Sequence, residues 1–165
     1  MAKAKVLALA AVLVLLAGGC AQAQQEMPVV LSFCGTDGQF SVSNGVVVLG
    51  AGQEVFYGGQ LEASEDFAAD AVSFSATFYC LSGDEKKTLL ASSVTDRTGG
   101  RVRVGGDLGK VSGEGAVSGL GEKAIKPQTL KNGLYFELEV TDADGRQSIY
   151  PLQLSVTEVT AQAGK

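Results

Sequence analysis

Over residues 72–80 apolar and polar positions alternate: Val72, Phe74, Ala76, Phe78 and Cys80 fall on one side, Ser73, Ser75, Thr77 and Tyr79 on the other. A period of two marks a strand with one face in a core and the other toward water. Residues 134–141 repeat the pattern, with Leu134, Phe136, Leu138 and Val140 inward. After the turn Asp142-Ala143-Asp144-Gly145-Arg146, the run 149–156 returns with Tyr150, Leu152, Leu154 and Val156 on one side, which predicts a hairpin. Fainter alternation predicts further strands over 29–34, 39–43, 45–49, 54–61, 87–94, 100–104 and 111–117. Between them stand turn-forming residues: Thr36-Asp37-Gly38, Ser43-Asn44-Gly45, Ser82-Gly83-Asp84 and Lys131-Asn132-Gly133. No window beyond the N-terminal region predicts an amphipathic helix. Residues 62–71 read as a loop with at most one helical turn, which Ser64 could cap.

Many short strands with frequent turns in one domain-sized stretch predict an all-β fold, an antiparallel β-sandwich whose two sheets bury their alternating faces. A small closed barrel is the alternative. The hairpin Gly133-Leu134-Tyr135 to Val140-Thr141-Asp142, then Asp144-Gly145 and a closing strand, resembles the last two strands of bacterial immunoglobulin-like, PKD and fibronectin type III modules. That likeness covers about 25 residues and carries the architecture, with Leu134 in the core and Tyr135 outside.

The first residues obey different rules. Lys3 and Lys5 precede an apolar run over 6–17, then Gly18, Gly19 and Cys20. A positive start and a short apolar stretch describe a secretory signal peptide. A permanent span needs ~20 apolar residues. Leu16-Ala17-Gly18-Gly19-Cys20 resembles the lipobox of bacterial lipoproteins, which implies acylation of Cys20, and Ala21 after it resembles the outer-membrane sorting pattern. Ala21-Gln22-Ala23 offers an ordinary small-x-small cleavage site instead. The expected organisation is a signal and lipobox region over 1–23, a polar tether over 24–28, one sandwich domain over 29–157 and a flexible tail over 158–165. The expected address is the outer membrane or cell surface, with a soluble periplasmic or secreted protein as the alternative.

With Cys20 assigned to the leader or to lipid, Cys34 and Cys80 remain. In an oxidising compartment that pair predicts a disulfide. Their distance apart in sequence is unlike the C-x-x-C spacing of redox or metal pairs.

Composition narrows the chemistry. The 165 residues include 22 glycines and no histidine. Without imidazole there is no Ser-His-Asp or Cys-His site and no histidine-ligated zinc or haem. Removing residues 1–19 takes Lys3 and Lys5 with it and leaves 18 acidic residues against 11 basic ones. That balance argues against nucleic acid and anionic lipid surfaces as partners.

The glycine-rich stretch 99–121 contains Gly113-x-Gly115-x-x-x-Gly119, which is not the dinucleotide-binding spacing and lacks a strand-to-helix unit around it. It reads as strand, bulge and turn, or a flap at a binding edge. Asp142-Ala143-Asp144-Gly145 opens like a calcium loop but lacks the later ligands. Glu62, Glu65, Asp66 and Asp70 are the densest carboxylate group and the candidate calcium ligands, oxygen donors of the hard type that cation takes. Glu137 and Glu139 share a strand face, and two carboxylates across a cleft could hydrolyse a glycoside without histidine. No serine sits in a G-x-S-x-G elbow. No cofactor is expected. The reading that follows is a non-catalytic exported binding or assembly module of the cell envelope, its partner an envelope protein or glycan. A small glycan hydrolase and a structural spacer are the alternatives.

Overall fold

The first sheet of the computed structural model is built on β1 (Val29–Thr36) and β2 (Phe40–Leu49). The structure describes residues 27–50, 52–120 and 123–159. Asp37 closes the β1–β2 turn, its Oδ1 accepting from the backbone N–H groups of Gln39 (2.8 Å) and Phe40 (3.0 Å). Along β2 lie both β3 (Glu54–Tyr57) and β4 (Gln60–Ala63); β9 (Lys110–Gly113) borders β3, and β12 (Ser155–Glu158) borders β1. The second sheet comprises β5 (Ala71–Ser82), β6 (Glu85–Ser93), β10 (Leu134–Asp142) and β11 (Gln147–Gln153), in the order β11, β10, β5, β6. A ribbon of β7 (Thr95–Asp96) and β8 (Arg103–Val104) carries a 3-10 turn, Thr98–Gly100, at its tip. All pairings are antiparallel, the fold is all-β, and neither main sheet closes into a barrel.

The inward faces alternate as the sequence requires, and they meet through aromatic rings. All seven phenylalanines of the chain join one network. Phe33 and Phe56 of the first sheet reach Phe78 of the second at 5.6 and 5.2 Å between centroids, and Phe40 reaches Phe136 at 5.9 Å. Burying each such ring stabilises by roughly 2–3 kcal/mol.

The strands expected over 100–104 and 111–117 shrink to β8 and β9, with turns over 98–100 and 114–119, and four further elements differ from the sequence expectation. Residues 39–49 form one strand, not two. Asn44 takes φ 57°, and Ser43 and Asn44 together oppose Cys34 alone, so the Asn-Gly pair makes a β-bulge where a hairpin turn was expected. The single strand expected over 54–61 is broken at Gly58-Gly59 into β3 and β4. Gly59, at φ 84°, passes so close to the bulge that a Cβ there would lie 2.1 Å from the carbonyl oxygen of Ser43. Residues 149–156 change sheets: β11 pairs with β10, the buried Leu154 donates its N–H to the carbonyl of Leu134 (2.9 Å), and β12 pairs with β1. Inward alternation survives the crossing because both sheets face one core. Last, α1 (Pro127–Gly133) stands where a turn was expected; Pro127 starts it and Leu130 is its buried anchor.

Candidate functional site

A groove of about 690 Å³ opens between the turn that follows β4 and the β7–β8 ribbon. Glu65, Asp66 and Asp70 line it from the turn, Arg101 and Arg103 from the ribbon. Half-buried Phe67 of the turn and Val102 and Val104 of the ribbon give the lining its apolar part and pack on the core.

Each wall is fixed by its own local chemistry. In the turn, Phe67 donates its N–H to the carbonyl of Ser64 (3.0 Å) and Ala71 to that of Ala68 (2.9 Å). The ring of Phe67 anchors it, 5.2 Å from Tyr150, 5.7 Å from Phe40 and 6.5 Å from Phe74. Acidic residues around one apolar anchor thus hold their carboxylates outward. The ribbon is pinned to β5: Thr95 Oγ1 accepts from the N–H of Phe74 (2.8 Å) and donates to its carbonyl (3.1 Å), and Arg97 Nη2 donates to the carbonyl of Val72 (2.8 Å). Asp96 accepts from the N–H (2.8 Å) and hydroxyl (3.0 Å) of Thr98. Those two bonds, with a smaller contribution from Arg103, hold its carboxyl below the usual aspartate range.

The groove's charges lack partners among themselves. The ion pairs of the described residues join Lys86 to Glu137, Lys87 to Glu85, Lys131 to Glu158 and Arg146 to Asp142 and Asp144, and none involves the five groove residues. The outer face of the second sheet is the opposite case. There Lys86 Nζ lies 2.6 Å from Glu137 and 3.9 Å from the ring centroid of Tyr79, which stacks on Tyr135 at 5.3 Å. Burial first, and then Glu137, raises the Tyr79 hydroxyl pKa above its ordinary value. Glu139 accepts from Gln147 Nε2 (3.2 Å). Glu137 and Glu139 therefore sit side by side on one strand, engaged with neighbours, and not across a cleft from each other.

The other sequence candidates separate in the same way. Glu65, Asp66 and Asp70 share the groove wall, whereas Glu62 lies exposed on β4 outside the lining. Among the described residues no group of three or more His, Cys, Asp or Glu side chains is placed to hold a metal. Asp142 is consumed by its own turn, its Oδ1 accepting from the N–H groups of Asp144 and Arg146 at 2.9 Å each. Cys20 lies outside the described residues.

The expected Cys34–Cys80 disulfide is not formed; both thiols are free. Cys34 follows inward-facing Phe33 on β1, so it points out of the first sheet into solvent, while Cys80 points from the second sheet into the core. One faces away from the other. Burial pushes the Cys80 thiol pKa up and keeps it neutral.

Two features of the structure carry little signal in the sequence. Arg101 and Arg103 belong to no motif, although three of the chain's four arginines fall within 97–103. Glu54 reads from the sequence only as the start of a strand. It is 5% exposed, and its Oε2 accepts from the N–H groups of Val117 (2.9 Å) and Ser118 (2.8 Å), tying the glycine-rich stretch to β3. Its parity with inward-facing Phe56 was the available signal.

No protein-family model, no curated protein and no solved structure matches the chain. Among the described residues no helix is long and apolar enough to cross a membrane.

Proposed function

We propose that this chain is a non-catalytic, exported binding or assembly module of the cell envelope, held at a membrane through lipid on Cys20, and that it meets an envelope protein or glycan through the groove. The observation that carries the reading is the groove itself: five charged side chains, mutually unpaired, on two braced walls over an apolar floor. Several surface charges elsewhere, Lys86 with Glu137 and Lys131 with Glu158 among them, are paired with near neighbours. Unpaired charge around a concave surface is instead what a ligand can complete. Support for export comes from Lys3, Lys5, the apolar run over 6–17 and the lipobox-like residues up to Cys20. The lack of histidine, together with the engagement of Glu137 and Glu139 by neighbours, favours binding over hydrolysis.

Capture from envelope extract tests the binding half. The processed chain should retain a partner that the doubly substituted Arg101→Gln/Arg103→Gln chain releases. An identical set of captured molecules on both, or turnover of envelope glycan by the purified chain, would overturn the reading. The anchor is tested by growth with a labelled fatty acid: label should enter the wild-type chain and vanish with Cys20→Ala, and label that persists would remove the lipid from the proposal.

A further inference from the structure

The groove also constrains the ligand, an inference that rests on its being the binding surface and that replaces the broad class of envelope protein or glycan there with a peptide. Glu65, Asp66 and Asp70 line one wall and Arg101 and Arg103 the other, Arg103 standing in register with Asp96 of β7. A bare divalent cation would face the guanidiniums as well as the acids, and a bare phosphate the acids as well as the guanidiniums, so each is attracted by one wall and repelled by the other. A neutral ligand would remove charged groups from water without giving them partners. The matching ligand carries both signs, an ammonium at one end and a carboxylate at the other, with an apolar stretch between for the floor. Arginine suits the anionic end in particular, because its planar fork meets both oxygens of a carboxylate at once.

Size and rigidity agree with a small ligand. At about 690 Å³ the groove falls inside the ~300–1,000 Å³ range of small-ligand sites. Its walls are held before any ligand arrives, one by Phe67 in the aromatic network and the other by Thr95, which bonds both backbone groups of Phe74. Little ordering entropy then opposes binding. We infer that the groove binds a short peptide with free termini, its ammonium toward the acidic wall and its carboxylate toward Arg101 and Arg103.

The test is a titration of the isotope-labelled processed chain, followed by backbone amide NMR shifts. Trialanine is the probe, beside its N-acetylated and C-amidated forms, calcium chloride and sodium phosphate. Trialanine should move the amides of 63–71 and 101–104, and blocking either end should weaken binding about tenfold. Raising salt from about 0.05 to about 0.5 M should weaken it several-fold, as exposed charges require. In Arg101→Gln/Arg103→Gln, whose substituted side chains are exposed and whose fold the spectrum reports directly, the free acid and the amide should bind alike. Equal binding of free and blocked peptides to the wild-type chain, shifts confined to other residues, or a response to calcium or phosphate with none to peptide would each overturn the inference. Envelope capture that still depends on Arg101 and Arg103 while trialanine is silent would end the peptide assignment and leave the binding-module reading standing. Capture indifferent to both arginines would end that reading instead.

Discussion

Gly45 lies directly against the ring of Phe33: a Cβ built on Gly45 would stand 2.0 Å from Cε2 of that ring. The ring is 3% exposed and contacts Phe56 and Phe78, so it has nowhere to retreat. Glycine at this position lets β2 pass under the ring just after its bulge. Gly45→Ala should lower the unfolding free energy by about 3 kcal/mol through overpacking. Denaturant unfolding checks this as a lower midpoint at unchanged slope, and an unchanged midpoint would mean the ring has room to move.

Phe67 links core and groove. Its ring touches Phe40, Phe74 and Tyr150, while its neighbours Glu65 and Asp66 form the acidic wall. Phe67→Ala should cost about 2 kcal/mol, less than a fully buried phenylalanine because the ring is only half buried. Hydrogen exchange should rise most over 64–71 and little in β10. A uniform rise across both sheets would show that the turn is not a local unit.

How much of this was legible follows from what alternation can and cannot encode. The inward series Phe74, Ala76, Phe78 and Leu134, Phe136, Leu138 was readable, since a strand buried on one face must alternate. Alternation does not say which sheet a strand joins, so the crossing at Leu154 left no mark on it. Asn44-Gly45 suits a hairpin and a bulge equally, because both need a residue near φ +60°; the choice was made by Phe33 and Gly59, which are distant in sequence. α1 was missed because a seven-residue helix with Leu130 as its buried apolar anchor has almost no period to detect. The groove needed tertiary structure: its acids were visible as a cluster, but the arginines that face them lie some thirty residues on.

The two thiols should differ sharply in reactivity. An alkylating reagent added to the folded chain should label Cys34 within minutes and leave Cys80 untouched until denaturant is added, as read by mass after proteolysis. Cys34→Ala should change stability by less than about 0.5 kcal/mol, whereas Cys80→Ala should cost ~1–2 kcal/mol from the small cavity it leaves. Protection of both sites in the native chain, reversed by a reductant, would restore the disulfide.

Glu54 supplies the pH dependence. Burial alone would raise its carboxyl pKa, but the Ser118 hydroxyl and the N–H groups of Ser118, Val117 and Gly50 outweigh that and hold it below the ordinary value of 4.5. The folded chain therefore binds the Glu54 proton more weakly than the unfolded chain does. Its contribution to stability is complete above pH 4.5 and is lost as the pH falls through the lower folded-state value. Glu54→Gln keeps an acceptor but removes the charge, and should cost about 1–2 kcal/mol at neutral pH. The gap between wild type and variant should narrow only below pH 4.5. Exchange at Val117 and Ser118 should quicken in the variant at neutral pH and in the wild type only under acid. A gap that stays constant down through the acid range would mean that the carboxylate's charge is not what ties the glycine-rich stretch to β3.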